Sequence, residues 1–313
     1  MPTLKRLAIS IGDLNGVGFE IALRAHNDIK HLVHPIYCIS RSMAEQAASL
    51  LNIPIPEDFE CHTISGDFTI QPGIVSNQSG RYSYDSFIAA IDLAKSGAVD
   101  AITTLPIHKE AWMMAGIDYV GHTDALRDIF ECDAIMMLGC EKLYVPLYTE
   151  HIPLREVASH IQTDPLVSFL LRLYQTTAHE PVAVLGLNPH AGDHGVLGDE
   201  ERFIEEAIHE ANTQIGKEIF TGPIVPDIAF TPRFRERYSM IAAMYHDQGL
   251  APLKALYFDE GINISLGLPI IRTSVDHGTA FDIAYQNKAS LLSYQNAISA
   301  ALRFIRLQGI SSK

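Results

Sequence analysis

The sequence predicts an α/β protein with a largely parallel sheet, and three observations carry that prediction. Short apolar runs alternate with longer amphipathic segments along most of the chain, the pattern of strands joined by crossover helices. The 313 residues are 47% apolar and 19% charged, the balance of an ordinary globular protein with material for one large or two medium domains. No Pro/Gly/Ser-rich linker, internal repeat or low-complexity tract divides the chain, so two domains, if present, share or exchange segments.

The strands expected in order are "RLAISIG" (6–12), "PIYCIS" (35–40), "AVDAITTLP" (98–106), "DAIMMLG" (133–139), "LYVPLYTE" (143–150), "VAVLGLNP" (182–189) and "SMIAAMY" (239–245). Each is short and largely apolar, and five of the seven have Gly, Pro, Asn or Asp at a boundary. Amphipathic helices are expected over 41–52, 83–97, 164–177, 199–216 and 290–308, where apolar residues recur at helical spacing. In "GHTDALRDIF" (121–130) a loop leads into a helix with Thr123 or Asp124 as its N-cap.

Charge and cysteine usage narrow the function. A formal net charge of −14 argues against a nucleic-acid partner, which needs a basic surface. An anionic ligand would need a local cluster of Lys and Arg against that field. No apolar run approaches the length of a membrane span, and "MPTLKRLAISIGD" lacks a secretory apolar region, so no membrane partner is expected. The four cysteines have neither metal-like pairing nor disulfide density, which fits a reducing cytoplasm.

The ends of three predicted strands hold the candidate chemistry. "YVPLYTEH" ends at His151, "VAVLGLNPH" at His190 and "IAAMYH" at His246. Open parallel sheets place ligands beyond the carboxyl ends of their strands. Three imidazoles there suggest a divalent-metal site with open positions for substrate. In a chain with 14 histidines, three unrelated surface residues are the other reading. Lys254, Asn263 and Arg272 follow apolar runs and carry donors suited to a phosphate or carboxylate, or else serve in separate surface ion pairs. His122 and Thr123 stand where a helix N-terminus would offer N–H groups to an anion, or where plain capping suffices. "GDLNGVGFE" (12–20) does not have dinucleotide-fingerprint spacing, and "SVDHGTAFDIA" (274–284) reads by itself as a polar turn.

Six motifs then occur in a known order: "GDLNGVGFE", "TTLPIHK" (103–109), "GHTD", "LNPHAGDHGVLGDEE" (187–201), "MYHDQGLAPLK" (244–254) and "INISLGLPIIRTSVDHGTAFDIA" (262–284). Through them nearly the whole chain resembles the 4-hydroxythreonine-4-phosphate dehydrogenases of vitamin B6 biosynthesis. The resemblance implies the isocitrate/isopropylmalate dehydrogenase-like fold, two three-layer α/β/α domains around a cleft. Residues 1–125 plus 276–313 would form the cofactor-side domain. Residues 126–275 would carry metal, substrate and dimer interface. It also implies that His151, His190 and His246 bind the metal (Zn, Co or Mg) in a site shared across a homodimer. His122, Thr123, Lys254, Asn263 and Arg272 would bind substrate. His277, Gly278, Thr279 and Asp282 would lie by the NAD or NADP adenosine. Departures stand at Leu14-Asn15, where the family commonly has Pro-Ala, and at Asp124, where it has Glu. Tyr285, Gln286 and Asn287 replace an expected glycine-containing stretch.

The reaction so implied is oxidation of 4-phosphohydroxy-L-threonine at C3 to a β-keto acid that loses CO2, giving 3-amino-2-oxopropyl phosphate. Asp247 and Lys254 are the candidate bases, by their nearness to His246 in sequence. A sister dehydrogenase of erythronate or threonate 4-phosphate would keep the same metal and anion residues. A metal-dependent hydrolase or lyase would use the three histidines without a nicotinamide cofactor.

Overall fold

The computed structural model describes residues 4–311. In chain order the elements are β1 (Lys5–Ser10), α1 (Gly18–Ile29), β2 (Val33–Cys38), α2 (Arg41–Leu51), β3 (Glu60–His62), α3 (Asn77–Lys95), β4 (Ala101–Thr104), α4 (Lys109–Met114), α5 (His122–Phe130), β5 (Ile135–Cys140), β6 (Leu143–Pro146), α6 (Leu154–His160), α7 (Thr163–Thr177), β7 (Val182–Leu185), α8 (Glu201–Ile215), β8 (Phe220–Ile224), α9 (Pro226–Ala229), α10 (Pro232–Arg235), β9 (Ile241–Ala242), α11 (His246–Tyr257), β10 (Ile262–Leu266), β11 (Arg272–Val275) and α12 (Leu292–Ser311). The α/β class is the one expected.

Two compact units divide these elements. The first comprises the described residues of Met1–Cys132, Ile262–Ile264 and Leu268–Lys313. Its sheet runs β3-β2-β1-β4-β11, and every pairing in that series is parallel. β1 and β4 are buried along their apolar residues because helices cover them, which is why they read as continuous apolar runs rather than alternating ones. Since β1, β4 and β11 are parallel neighbours, the loops that leave them emerge side by side at one edge.

The second unit comprises Asp133–Gly261 and Ser265–Gly267. β8, β7 and β9 form a parallel three-stranded sheet, and bridges at Tyr144–Met240 and Leu147–Ala243 continue it toward β6. Leu138, Val145, Leu185, Ile241, Leu250 and Leu253 are buried together in its core. β5 and β6 are antiparallel, a departure from the parallel rule. Only Glu141 and Lys142 separate them, enough for a hairpin and far too short for a crossover.

Two element boundaries differ from expectation. The strand predicted over 239–245 contracts to Ile241–Ala242, and α11 starts at His246. Gly249 permits that early start: a Cβ there would lie 2.5 Å from Val145 Cγ1 and 2.8 Å from Ala243 Cβ, so only glycine lets the helix approach the sheet. The helix predicted after "GHTD" begins at His122, with Gly121 as the N-cap residue, so neither Thr123 nor Asp124 is the cap. Asp124 instead reaches back, its Oδ2 accepting from Val120 N at 3.2 Å.

Candidate functional site

In the second unit, backbone pairing brings two of the three histidines together. Beyond β6 the chain stays beside the segment that follows β9, with Tyr148 N donating to Ala243 O and Thr149 N to Met244 O. Thr149 Oγ1 donates to the same Met244 carbonyl at 2.7 Å. This register delivers His151 and His246 with ring centroids 5.4 Å apart. Gln248 ties the start of α11 to two strand ends: Oε1 accepts from Met244 N and Nε2 donates to Gly186 O, both at 2.7 Å.

Asp247 fixes the His246 ring. Its Oδ1 lies 2.7 Å from His246 Nδ1, with the two side chains 86% and 36% exposed. A carboxylate only accepts, so Nδ1 carries the proton and Nε2 presents its lone pair. That arrangement, a carboxylate behind an imidazole, is how metal-ligating histidines are oriented. Lys254 stands two turns further along the same helix.

His190 lies apart from this pair in the way it is held. Residues 190–194 all have positive φ, and four of the five are not glycine. The left-handed conformation costs a non-glycine residue roughly 1–2 kcal/mol, so this turn stores strain. Among the described residues, no group of three His, Cys, Asp or Glu side chains of one chain could hold a metal ion.

In the first unit, Arg272 is buried and His122 is half-buried, with its Nε2 sealed from solvent. Arg272 is 2% exposed, and its Nε and Nη2 donate to Thr104 Oγ1 at 3.2 and 2.8 Å. Burial lowers its pKa to about 9, so the guanidinium is still charged at neutral pH. Burial, and secondarily the Arg272 charge, hold His122 well below the usual imidazole range. The His122 ring is packed edge-on against Phe87 and Trp112, and its Nε2 finds no hydrogen-bond partner among the described residues. Thr123 is buried in the first turn of α5. Asn263 Oδ1 is likewise buried without a partner. A buried cation near an imidazole with an unsatisfied buried nitrogen is a setting in which an anionic ligand is stabilised.

The edge formed by the loops after β1, β4 and β11 holds a second set of groups. His277 Nδ1 lies 2.9 Å from Gly278 O and must donate, which leaves Nε2 a buried acceptor without a partner. A Cβ on Gly278 would meet nothing within 4 Å, so there is open space beside it. Thr279 O accepts from Val17 N at 3.0 Å, and Asp282 is exposed. Asp13, fully buried, accepts from Asn15 N and Ser79 Oγ; burial raises its pKa to about 6 against the lowering effect of those bonds and of His108.

The sequence model of the pyridoxal phosphate biosynthetic protein PdxA family matches residues 31–301, most of the chain. The chain belongs to the PdxA family. It is 60% identical over 297 residues to a Sulfurimonas denitrificans protein named 4-hydroxythreonine-4-phosphate dehydrogenase, covering 95% of this chain and 97% of the relative. A Campylobacter fetus protein of the same name is 51% identical, covering 96% and 98%. Among solved structures, a 4-hydroxythreonine-4-phosphate dehydrogenase from Klebsiella pneumoniae superposes with a TM-score of 0.83 at 32% identity, covering 97% of this chain and 99% of that one.

Within this PdxA-family chain, sequence reasoning passed over two groups. His108 caps the loop after β4; its Nδ1 is buried without a partner, and its ring stacks on Phe281 with centroids 4.8 Å apart. Its place at the end of a predicted strand was the available signal. Glu201 is the other. It reads as one acid among several in an amphipathic helix, yet it is 6% exposed and bonded to the backbone ahead of His190.

Proposed function

We propose that this chain is an NAD(P)-dependent, divalent-metal-dependent dehydrogenase that oxidises 4-phosphohydroxy-L-threonine at C3 in vitamin B6 biosynthesis. The observation that carries the reading is 60% identity, over 95% of the chain, to a relative named 4-hydroxythreonine-4-phosphate dehydrogenase. The residues fit the groups such a reaction requires. His246, with Nδ1 held by Asp247 and Nε2 free to coordinate, suits a metal, and His151 lies beside it. The orphaned His277 Nε2 and the open space at Gly278 suit a ligand that carries a donor, as the adenosine part of a nicotinamide cofactor does; Thr279 and Asp282 complete that segment.

His151, His190 and His246 would hold the metal (Zn, Co or Mg), which would supply Lewis-acid polarisation of the C3 hydroxyl, and the nicotinamide would supply the hydride acceptor. The remaining work belongs to this chain. His122, Thr123, Asn263 and Arg272 hold the phosphate and carboxylate; the buried guanidinium supplies the fixed positive charge in an acidic protein. Lys254 would bind the substrate at its hydroxyl as a neutral amine and accept the hydroxyl proton. Asp247 is assigned to orienting His246 rather than to proton transfer, because its carboxylate is engaged by the imidazole. The resulting β-keto carboxylate breaks its C1–C2 bond, releases CO2 and takes a proton at C2, giving 3-amino-2-oxopropyl phosphate.

We read the enzyme as a homodimer with a shared metal site: His151 and His246 meet within one chain, while His190 sits on a separate, strained turn and would serve the site of a second chain. The four free cysteines fit a cytoplasmic protein, and no helix among the described residues is long and apolar enough to cross a membrane. The decisive test measures initial rates of NAD and NADP reduction with 4-phosphohydroxy-L-threonine and, in parallel, erythronate 4-phosphate, each with several divalent metals. Metal-dependent reduction with the amino-acid phosphate is the expected result. Reduction with erythronate 4-phosphate alone moves the assignment to the sister reaction, and phosphate release without cofactor reduction abandons the dehydrogenase reading.

A further inference from the structure

The turn between β7 and α8 runs against the preference of L-residues. His190, Ala191, Gly192, Asp193 and His194 have φ of 52, 51, 77, 45 and 53°. Such a run persists only where its surroundings over-determine it. What surrounds it is one carboxylate. Glu201, the first residue of α8, points back at the residues that enter the turn. Its Oε1 accepts from Leu187 N at 2.8 Å and Asn188 N at 2.7 Å, and its Oε2 accepts from Asn188 Nδ2 at 2.9 Å. Glu200 Oε2 takes the other hydrogen of that amide, at 2.7 Å.

The space around Glu201 is closed by glycines. A Cβ on Gly192 would lie 2.6 Å from Glu201 Oε2, and a Cβ on Gly198 would lie 2.2 Å from Asn188 Nδ2. Gly192 also needs its positive φ, so both space and backbone demand glycine there. The turn closes on itself through Ala191 N to Asn188 O and Leu197 N to Gly192 O. The bonds that hold the entry to the turn therefore converge on the Asn188–Glu201 pair, and His190 is exposed beyond it, as are Asp193, His194, Val196 and Leu197.

We propose that Glu201 is a positioning residue: its buried carboxylate holds the left-handed turn in the shape that presents His190 as a metal ligand. This rests on the metal reading above. Glu201 touches neither the metal nor the substrate; it acts through the backbone of Leu187 and Asn188. Loss of its acceptor oxygens frees those two N–H groups and lets the turn relax toward ordinary φ values, carrying His190 away from its ligating position.

The test uses the full chain with Zn2+ and Co2+ as probes, measuring affinity by competition with a chromophoric chelator and backbone hydrogen exchange over 186–198 in metal-free protein. Glu201→Ala is expected to weaken metal binding about 10- to 100-fold, the usual effect of losing a partner behind a ligand. It is also expected to speed exchange at Leu187 and Asn188, with turnover recovering at saturating metal. Glu201→Gln keeps an acceptor for both N–H groups but turns a donor toward Asn188 Nδ2, so its loss is expected to be smaller than that of Glu201→Ala. Asn188→Ala, which removes the amide shared by the two acids, weakens metal binding in the same sense and serves if Glu201→Ala does not fold. His190→Ala is the control. If His190→Ala loses the metal while Glu201→Ala and Asn188→Ala bind it with wild-type affinity, the positioning role is overturned. Equal losses in Glu201→Gln and Glu201→Ala overturn it as well, since an acceptor for the Leu187 and Asn188 N–H groups would then make no difference. Wild-type affinity in His190→Ala fails the metal reading itself, and the proposal with it.

Discussion

Replacing Asp13 by Asn is expected to stabilise the protein at neutral pH, and more so there than at pH 5. Asp13 lies fully buried in the loop after β1, and burial raises its pKa from 3.8 to about 6. The folded carboxyl thus keeps its proton to higher pH than the unfolded one. Between pH 3.8 and about 6 the folded state binds more protons, so stability falls as pH rises through that window. A tenfold change in a proton equilibrium is about 1.4 kcal/mol, so the ionised carboxylate costs about 3 kcal/mol at pH 7.5 and about 1.5 kcal/mol at pH 5. Asparagine avoids this cost and can keep the geometry. Its Oδ1 accepts from Asn15 N as Asp13 does, and its Nδ2 can donate to Ser79 Oγ, which still donates to Ser76 O. Urea unfolding of both proteins at pH 5 and 7.5 reads the effect as a midpoint shift. The gain is expected to be larger at pH 7.5 by about 1.5 kcal/mol. An equal gain at both pH values, or a loss at both, refutes the assignment of a desolvated carboxylate.

Asp247→Ala leaves the His246 ring unheld; metal affinity measured by chelator competition is expected to fall about 10- to 100-fold, with turnover restored at saturating metal. Arg272→Lys keeps a charge but loses the planar fork and the bonds to Thr104. Steady-state kinetics are expected to show kcat/KM lowered about 10- to 100-fold, the equivalent of one lost charge-assisted hydrogen bond. Gly80→Ala would ordinarily favour α3 by about 1 kcal/mol. Here its Cβ would stand 2.0 Å from the Ala111 carbonyl at the start of α4, and overpacking against backbone costs about 1–3 kcal/mol or more, so thermal melting is expected to show a net loss.

Most of the fold was legible because period and composition agree with it. The run 6–12 and the helix-like 83–97 fall on β1 and α3, where buried residues supply a clean pattern. Less legible were elements whose boundaries are set by tertiary contacts. His246 reads as the end of a strand, yet helix α11 begins there, because Gln248 caps Met244 N and Gly249 allows a close approach to Val145. The left-handed turn at 190–194 was not legible at all. Only Gly192 hints at positive φ, and the force that holds the other four residues comes from Glu201, a residue further along the chain. Single-residue chemistry followed the same division. The candidate histidines could be named from strand ends. The difference between Asp247 as a base and Asp247 as a prop for His246 depends on one 2.7 Å contact that no sequence pattern encodes.

The departures from the family pattern gain a physical reading together that they lack singly. Leu14 and Asn15 stand where Pro-Ala is common, and Tyr285 stands where a glycine-containing stretch is expected. Tyr285 does adopt a glycine-like backbone, at φ 62°, and it is held there by its own hydroxyl, which donates to Leu14 O at 2.7 Å. Asn15 Nδ2 donates to Ile74 O, Asn15 Oδ1 accepts from Gln71 N, and Gly73 N donates to Asn15 O. Gly16 packs so closely on Thr279 that a Cβ would lie 2.7 Å from its carbonyl oxygen. The loop after β1 is therefore bound on one side to residues 71–74 and on the other to the segment that carries His277 and Thr279. A proline at position 14 would fix φ but leave the Asn15 and Tyr285 bonds without their purpose; this chain reaches rigidity by cross-linking loops instead. The substitutions compensate one another, which leaves the residues proposed for the cofactor on a braced edge even though the local sequence differs.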